Sequence, residues 1–163
     1  MDTKVIVADY SSEKHGVDII HLMDSYAKDP MGGGEPLSQY VKQNLVAELS
    51  KIPYAFSLIC YINAEPAGLV NCFNGFSTFS CKPLINIHDV VVLKRFRARG
   101  LSQLMLYEVE NIAKESGCCK ITLEVLEGNE AAKKAYLKNG FVSYELDPKM
   151  GKALFWQKSI EST

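Results

Sequence analysis

The amino-acid sequence predicts a single domain of the α/β (α+β) class, on three observations. Three strand-like runs, YAFSLICYI (54–62), AGLVNCFNGF (67–76) and LINIHDVVVL (84–93), follow one another through the middle of the chain as an antiparallel meander. Beyond them the hydrophobic period alternates between helix and strand. The 163 residues make one ordinary domain, long enough to bury a core without disulfides or metal. A meander followed by strand, helix, strand, helix and strand belongs in one mixed sheet and not in two domains.

Taken in order, residues 4–10 (KVIVADY) read as the opening strand. Val17, Ile20, His21, Met23 and Asp24 begin a helix that should stop near Asp29 and Pro30. Gly32, Gly33 and Gly34 cannot hold a helix cheaply and mark a flexible loop within residues 29–37. Ser38 caps a second helix whose apolar stripe is Tyr40, Val41, Leu45 and Leu49. Asn63, Ala64, Glu65 and Pro66 form the tight turn between the first two meander strands. After the meander come a helix over about 101–116, a strand over 120–126, a helix over about 130–138, and strands near 141–145 and 153–159.

Eighteen basic against nineteen acidic residues leave a net charge of −1, without the basic footprint of a nucleic-acid or anionic-membrane binder, so a small-molecule partner is favoured. No apolar run approaches the roughly 20 residues that cross a bilayer. The N-terminal stretch fits a first strand better than a secretory signal, and the mature chain is expected to start near Met1. The five cysteines, Cys60, Cys72, Cys81, Cys118 and Cys119, lack paired CxxC or Cys/His spacing. They read as reduced, mostly buried thiols of a cytoplasmic protein, with no metal role.

The most informative stretch is VVVLKRFRARGLSQLMLYEVENIAKESG, in which an apolar strand runs through a basic, glycine-containing turn into an amphipathic helix. Free amides and the positive dipole end at a helix N-terminus favour a phosphate, Gly100 lets the backbone approach it, and Arg95, Arg97 and Arg99 add charge. On its own, KRFRARG reads as no more than a solvated basic turn. The context resembles the GNAT superfamily of acyl-coenzyme A N-acyltransferases, whose signature (Q/R)xxGx(G/A) is met by Arg97 and Gly100, with Ser102 as a departure in the last place. The run ITLEVLEGNEAAKKAYLKNGFV resembles the family's second block through Asn129, Ala132, Tyr136, Gly140 and Phe141. Together the two blocks cover roughly residues 85–145.

The resemblance implies a mixed, mostly antiparallel twisted sheet of six to seven strands flanked by about four helices. It implies acetyl-coenzyme A as co-substrate, held by Arg97, Ala98, Arg99, Gly100, Leu101, Ser102 and Asn129 and by backbone amides at Val91 or Val92. It also implies Tyr136 as the acid that protonates the leaving thiolate, and a homodimer, common in this family. A phenol of pKa about 10 is protonated at neutral pH and suits that task. Asn129 and Tyr136 lie two helical turns apart on one face, about 10 Å along the axis.

For the acceptor amine's proton the candidates are His88 and Asp89, and because adjacent strand residues face opposite sides, only one reaches a given cleft unless a bulge intervenes. STFSCKPLINIHDVVV looks most like the spermidine/spermine acetyltransferases, with His88 in place of the first of two acids. Asp29 and Glu35 offer negative charge to an ammonium group. The function expected is acetyl transfer to a primary amine of a small molecule by direct attack in a ternary complex. The alternative is a non-catalytic acyl-coenzyme A sensor of the same fold. A nucleotide-binding domain of another type is disfavoured by the absence of GxGxxG and GxxxxGK(S/T).

Overall fold

The structure, a computed structural model, describes residues 2–161, so Met1 lies outside the described residues. Strand β1 (Thr3–Val7) leads into helix α1 (Glu13–Lys28), which starts before its apolar stripe because Ser12 caps it, its hydroxyl accepting the His15 amide at 3.3 Å. The helix ends at Asp29, whose extended backbone suits the residue before a proline. Residues 30–32 form a 3-10 turn capped by the Asp29 side chain, which accepts the Met31 amide at 3.0 Å. The glycine-containing loop thus opens with a capped turn. Gly33 and Gly34 adopt φ of +115° and +83°, and a Cβ on Gly32 would stand 2.0 Å from the Tyr26 carbonyl oxygen. Ser38 caps helix α2 (Gln39–Ser50) by accepting the Val41 amide at 3.2 Å.

Strands β2 (Ala55–Ile62), β3 (Glu65–Ser77) and β4 (Lys82–Val92) form the antiparallel meander. The turn joining β2 to β3 holds Asn63 and Ala64 at φ of +47° and +65°, the sign that tight hairpin turns require. Helix α3 (Leu101–Glu115) crosses over to β5 (Ile121–Leu123), which pairs with β4 in parallel from Ile85 to Ile87, and helix α4 (Glu130–Lys138) follows. The sheet order is β1-β2-β3-β4-β5. Met23 of α1 meets Asn71 on one face of the sheet. On the other face α3 packs so closely that a Cβ on Gly68 would stand 2.8 Å from the Met105 methyl. The core is continuous through the sheet, with Ile19 and Leu22 of α1, Leu58 and Ile59 of β2, Val70 of β3 and Met105 and Val109 of α3 fully buried.

Two expectations fail here. The sheet has five strands among the described residues, not six to seven: residues 141–161 make a single bridge, Glu145 to Lys152, and stay out of the sheet. Val142, Leu154, Phe155 and Trp156 are exposed. Strand propensity measures fit to a half-buried pleated surface, and β5 offers an edge only three residues long. The cysteines also divide: Cys60 and Cys72 are buried, whereas Cys81 and Cys119 are exposed. Among the described residues no helix is long and apolar enough to cross a membrane.

Candidate active site

Strand β4 carries the site. The Ile85 amide donates to the Lys120 carbonyl on the β5 side, at 3.3 Å, whereas the Leu93 amide just past the strand donates to Ala67 on the β3 side, at 2.9 Å. In a regular strand, amides an even number of residues apart point the same way. These differ because β4 holds one residue more than β3: Asn71 pairs with Asp89 and Cys72 with Ile87, leaving His88 as the extra residue of a β-bulge. Beyond the bulge, alternation turns the backbone of Val91 toward β3 and those of Val90 and Val92 away from it, where β5 has already ended. The Val92 carbonyl accepts Arg97 Nε on that side, at 3.1 Å.

A groove of about 320 Å³ opens there, with Val90, Val91 and Val92 on one wall, Tyr26 and Asp29 at the end of α1, and Asn129 and Tyr136 of α4 opposite. Arg97, Ala98, Gly100, Leu101 and Ser102 continue the β4 wall. The turn is anchored by buried Phe96, and it divides the three arginines. Arg95 pairs with Glu65 and lies over the Phe96 ring, with Arg99 also on that ring at 5.5 Å. Neither of these lines the groove; Arg97 does. Ala98 and Gly100 hold φ of +60° and +77°. A Cβ at Gly100 would touch no protein atom within 4 Å, so glycine serves the dihedral and not a tight space within the chain. Helix α3 starts directly after it with no side-chain cap, leaving first-turn amides at the groove.

Asp29, the residue expected to offer charge to an ammonium substrate, lines the groove, where its carboxylate accepts Arg97 at 2.8 Å; that hydrogen bond, with the one from the Met31 amide, holds its carboxyl below the usual range. Glu35 is exposed and does not line the groove.

On α4, the Asn129 side chain caps the helix by accepting the Ala132 amide at 3.2 Å. Tyr136 packs edge-on against Phe141, with centroids 5.8 Å apart. Burial first, and repulsion from the Tyr26 phenol as it ionises second, push the Tyr136 phenol up to about 12, so it is fully protonated at neutral pH. The helix is held to α3 by Gln103, whose Nε2 donates to the Ala135 carbonyl at 3.0 Å and whose Oε1 accepts Asn139 Nδ2.

The bulge separates the two candidate bases. His88 is exposed, with its ring edge-on to Phe73 at 5.6 Å. Asp89 is half-buried and accepts Asn71 Nδ2 at 3.0 Å. Neither lines the groove itself, but the Tyr26 hydroxyl does feel Asp89: burial raises its pKa, and the charges of Asp89 and Asp29 raise it further.

Three residues escaped sequence reasoning. Tyr26 continues the apolar face of α1 and looks like any core aromatic, and Gln103 looks like a solvated helix residue. Asn71 did leave a signal, a lone amide inside the apolar run LVNCF.

A sequence profile described as the acetyltransferase (GNAT) family matches residues 20–141. An uncharacterized N-acetyltransferase of Methanocaldococcus jannaschii is 29% identical over 89 residues, which cover 54% of this chain but only 39% of that protein. A probable acetyltransferase of known structure matches with a TM-score of 0.80 at 18% identity, over 97% of this chain and 99% of that one. AAC(6')-Iy in complex with a bisubstrate analogue, CoA-S-monomethyl-acetylneamine, matches with a TM-score of 0.74 at 16% identity, over 98% and 100% of the two chains. These two likenesses establish the fold. With the profile spanning most of the sequence, the chain belongs to the acetyltransferase (GNAT) family.

Proposed function

We propose that the protein transfers an acetyl group from acetyl-coenzyme A to a primary amine of a small molecule. The observation that carries this reading is one groove joining an anion site to a neutral acid: the uncapped start of α3 behind left-handed Gly100, with Arg97, at one part, and half-buried, protonated Tyr136 at another. The first suits a pyrophosphate. The outward-facing backbone of Val90 and Val92 suits the acyl-bearing arm, with an amide there directed at the thioester carbonyl. Acetyl-coenzyme A supplies the activated acyl group.

Asp89 takes a proton from the acceptor ammonium, freeing the nitrogen lone pair. The C–N bond forms at the thioester carbonyl as the C–S bond breaks, and Tyr136 gives its proton to the departing sulfur. One of the two protons on the new acylated nitrogen then passes to the Tyr136 phenolate, leaving the neutral amide, and Asp89 releases its proton to solvent. With Asp29 engaged by Arg97, Asp89 is the carboxylate beside the groove that suits a cationic acceptor. Polyamines, aminoglycosides and amino acids share that cationic amine.

Thiol release from acetyl-coenzyme A, measured across polyamines, amino acids, aminoglycosides, arylamines and peptide N-termini, tests the reading. Turnover of at least one amine supports it. Tight coenzyme A binding with no amine turned over replaces it with the sensor role.

The reading includes a homodimer. The exposed apolar residues of 142–160 and the bare edge of three-residue β5 support a second copy covering this end of the sheet. Light scattering after size exclusion tests it, and a monomer at micromolar concentration overturns it. The five unpaired thiols support a reducing, cytoplasmic setting.

A further inference from the structure

Resting on the acetyl-transfer reading above, we propose that Asn71, Ser57 and Tyr10 are positioning residues that hold the Asp89 carboxylate in place as the proton acceptor for the amine. Ser57 stands opposite Asn71 across β2 and β3, and Asn71 opposite Asp89 across β3 and β4. Three polar residues thus form a row across three neighbouring strands, ending at the bulge. Ser57 is fully buried and Asn71 is 5% exposed, within strands whose other central residues, Leu58, Ile59, Leu69 and Val70, are apolar and fully buried. Apolar side chains would pack there without desolvating an amide and a hydroxyl, so the row brings no obvious gain in stability.

The hydrogen bonds in the row run one way. An ionised Asp89 only accepts, so Asn71 must present its Nδ2, at 3.0 Å, and its other amide proton faces Met23 Sδ at 3.2 Å. Asn71 Oδ1 is then left to accept from Ser57 Oγ at 2.6 Å. With its one proton committed, Ser57 accepts from the Tyr10 hydroxyl at 2.8 Å. Every donor in the line points toward Asp89.

The groups facing Asp89 leave this line as its main support. Tyr26 faces it from α1, Cys72 from β3, and His88 precedes it on β4. Burial, with the Asp89 charge added, pushes the Cys72 thiol up to about 12, so it is neutral at pH 7. Tyr26 is likewise held neutral. None of the ion pairs among the described residues involves Asp89. The donation from Asn71 therefore fixes the direction of the carboxylate without a cation that would compete for it.

The test is the titration of Asp89, read directly by carboxyl carbon NMR and as the acidic limb of kcat/KM for a turned-over amine. In Asn71→Ala, removing the donor should move both upward, while the loss of positioning should lower the pH-independent kcat/KM about tenfold with KM for acetyl-coenzyme A unchanged within about twofold. Tyr10→Phe, at the half-buried end of the line, should shift both in the same direction by less. It also decides the matter alone if Asn71→Ala fails to fold. Unmoved titration in the folded variants overturns the proposal. Asp89→Asn separates it from the reading it rests on: an inactive Asp89→Asn beside unmoved Asn71→Ala and Tyr10→Phe limbs sinks the positioning role alone, whereas a fully active Asp89→Asn removes Asp89 from the chemistry.

Discussion

The two walls of the groove are built differently. The wall of β4, the arginine turn and α3 stands on the core: Val91, Phe96, Leu101 and Met105 are all buried. The wall of α4 has no buried residue at all and is attached through Tyr136, Phe141 and the hydrogen bonds of Gln103. On the proposed reading the core-built wall holds the cofactor and the lightly attached wall supplies the acid, so substitutions on the two should separate effects on cofactor affinity from effects on turnover.

The largest expected effect lies on the lighter wall. Tyr136→Phe keeps the ring packing against Phe141 and removes the proton donor, so kcat should fall by about 100-fold or more while coenzyme A affinity stays within about twofold. An unchanged kcat would remove Tyr136 from the mechanism. On the core-built wall the split should reverse: Arg97→Ala should weaken coenzyme A binding by about 10- to 100-fold by calorimetry, the scale of a charge-assisted hydrogen bond. Retained affinity would break the assignment of the turn.

Most of the core-built wall was legible in the sequence, because a strand, a Gly-containing basic turn and an amphipathic helix are local patterns. Helix α4 was legible to the residue, and Asn129 was visible as its cap. Less legible were partners set by tertiary contact. That Arg97 takes Asp29 across a long stretch of sequence, that Arg95 turns to Glu65, and that Gln103 reaches Asn139 are facts of how α1, β3 and α4 dock. The bulge at His88 was open as an alternative but could not be placed, because extra residues show only in the register against a partner strand. The C-terminal runs misled for the opposite reason: their apolar residues fit a strand, but strand formation needs an edge of matching length.

Gln103 tests how much the lighter wall depends on hydrogen bonding. Gln103→Ala removes both the donor to Ala135 and the acceptor from Asn139 without touching the groove lining. Its expected signature is a fall in kcat of about five- to tenfold, since small misplacements of a catalytic group are costly, with coenzyme A affinity preserved. Equal losses in both would mean that α3 and α4 act as one wall.

The smallest effect concerns the ion pair that ties α1 to the core-built wall. Arg97 lowers the Asp29 carboxyl below its usual range, so the pair's contribution is present above the ordinary carboxylate pKa and is lost as pH falls through the lowered folded value. Because both partners are partly exposed, Asp29→Asn should lower Tm at pH 7 by only about 1–3 °C. That difference should shrink to nothing as the solution is acidified below the range in which Asp29 titrates. A gap in Tm that persisted in acid would mean that Asp29 acts through its cap on Met31, a hydrogen bond that asparagine also makes imperfectly, and that Arg97 is held by the Val92 carbonyl alone.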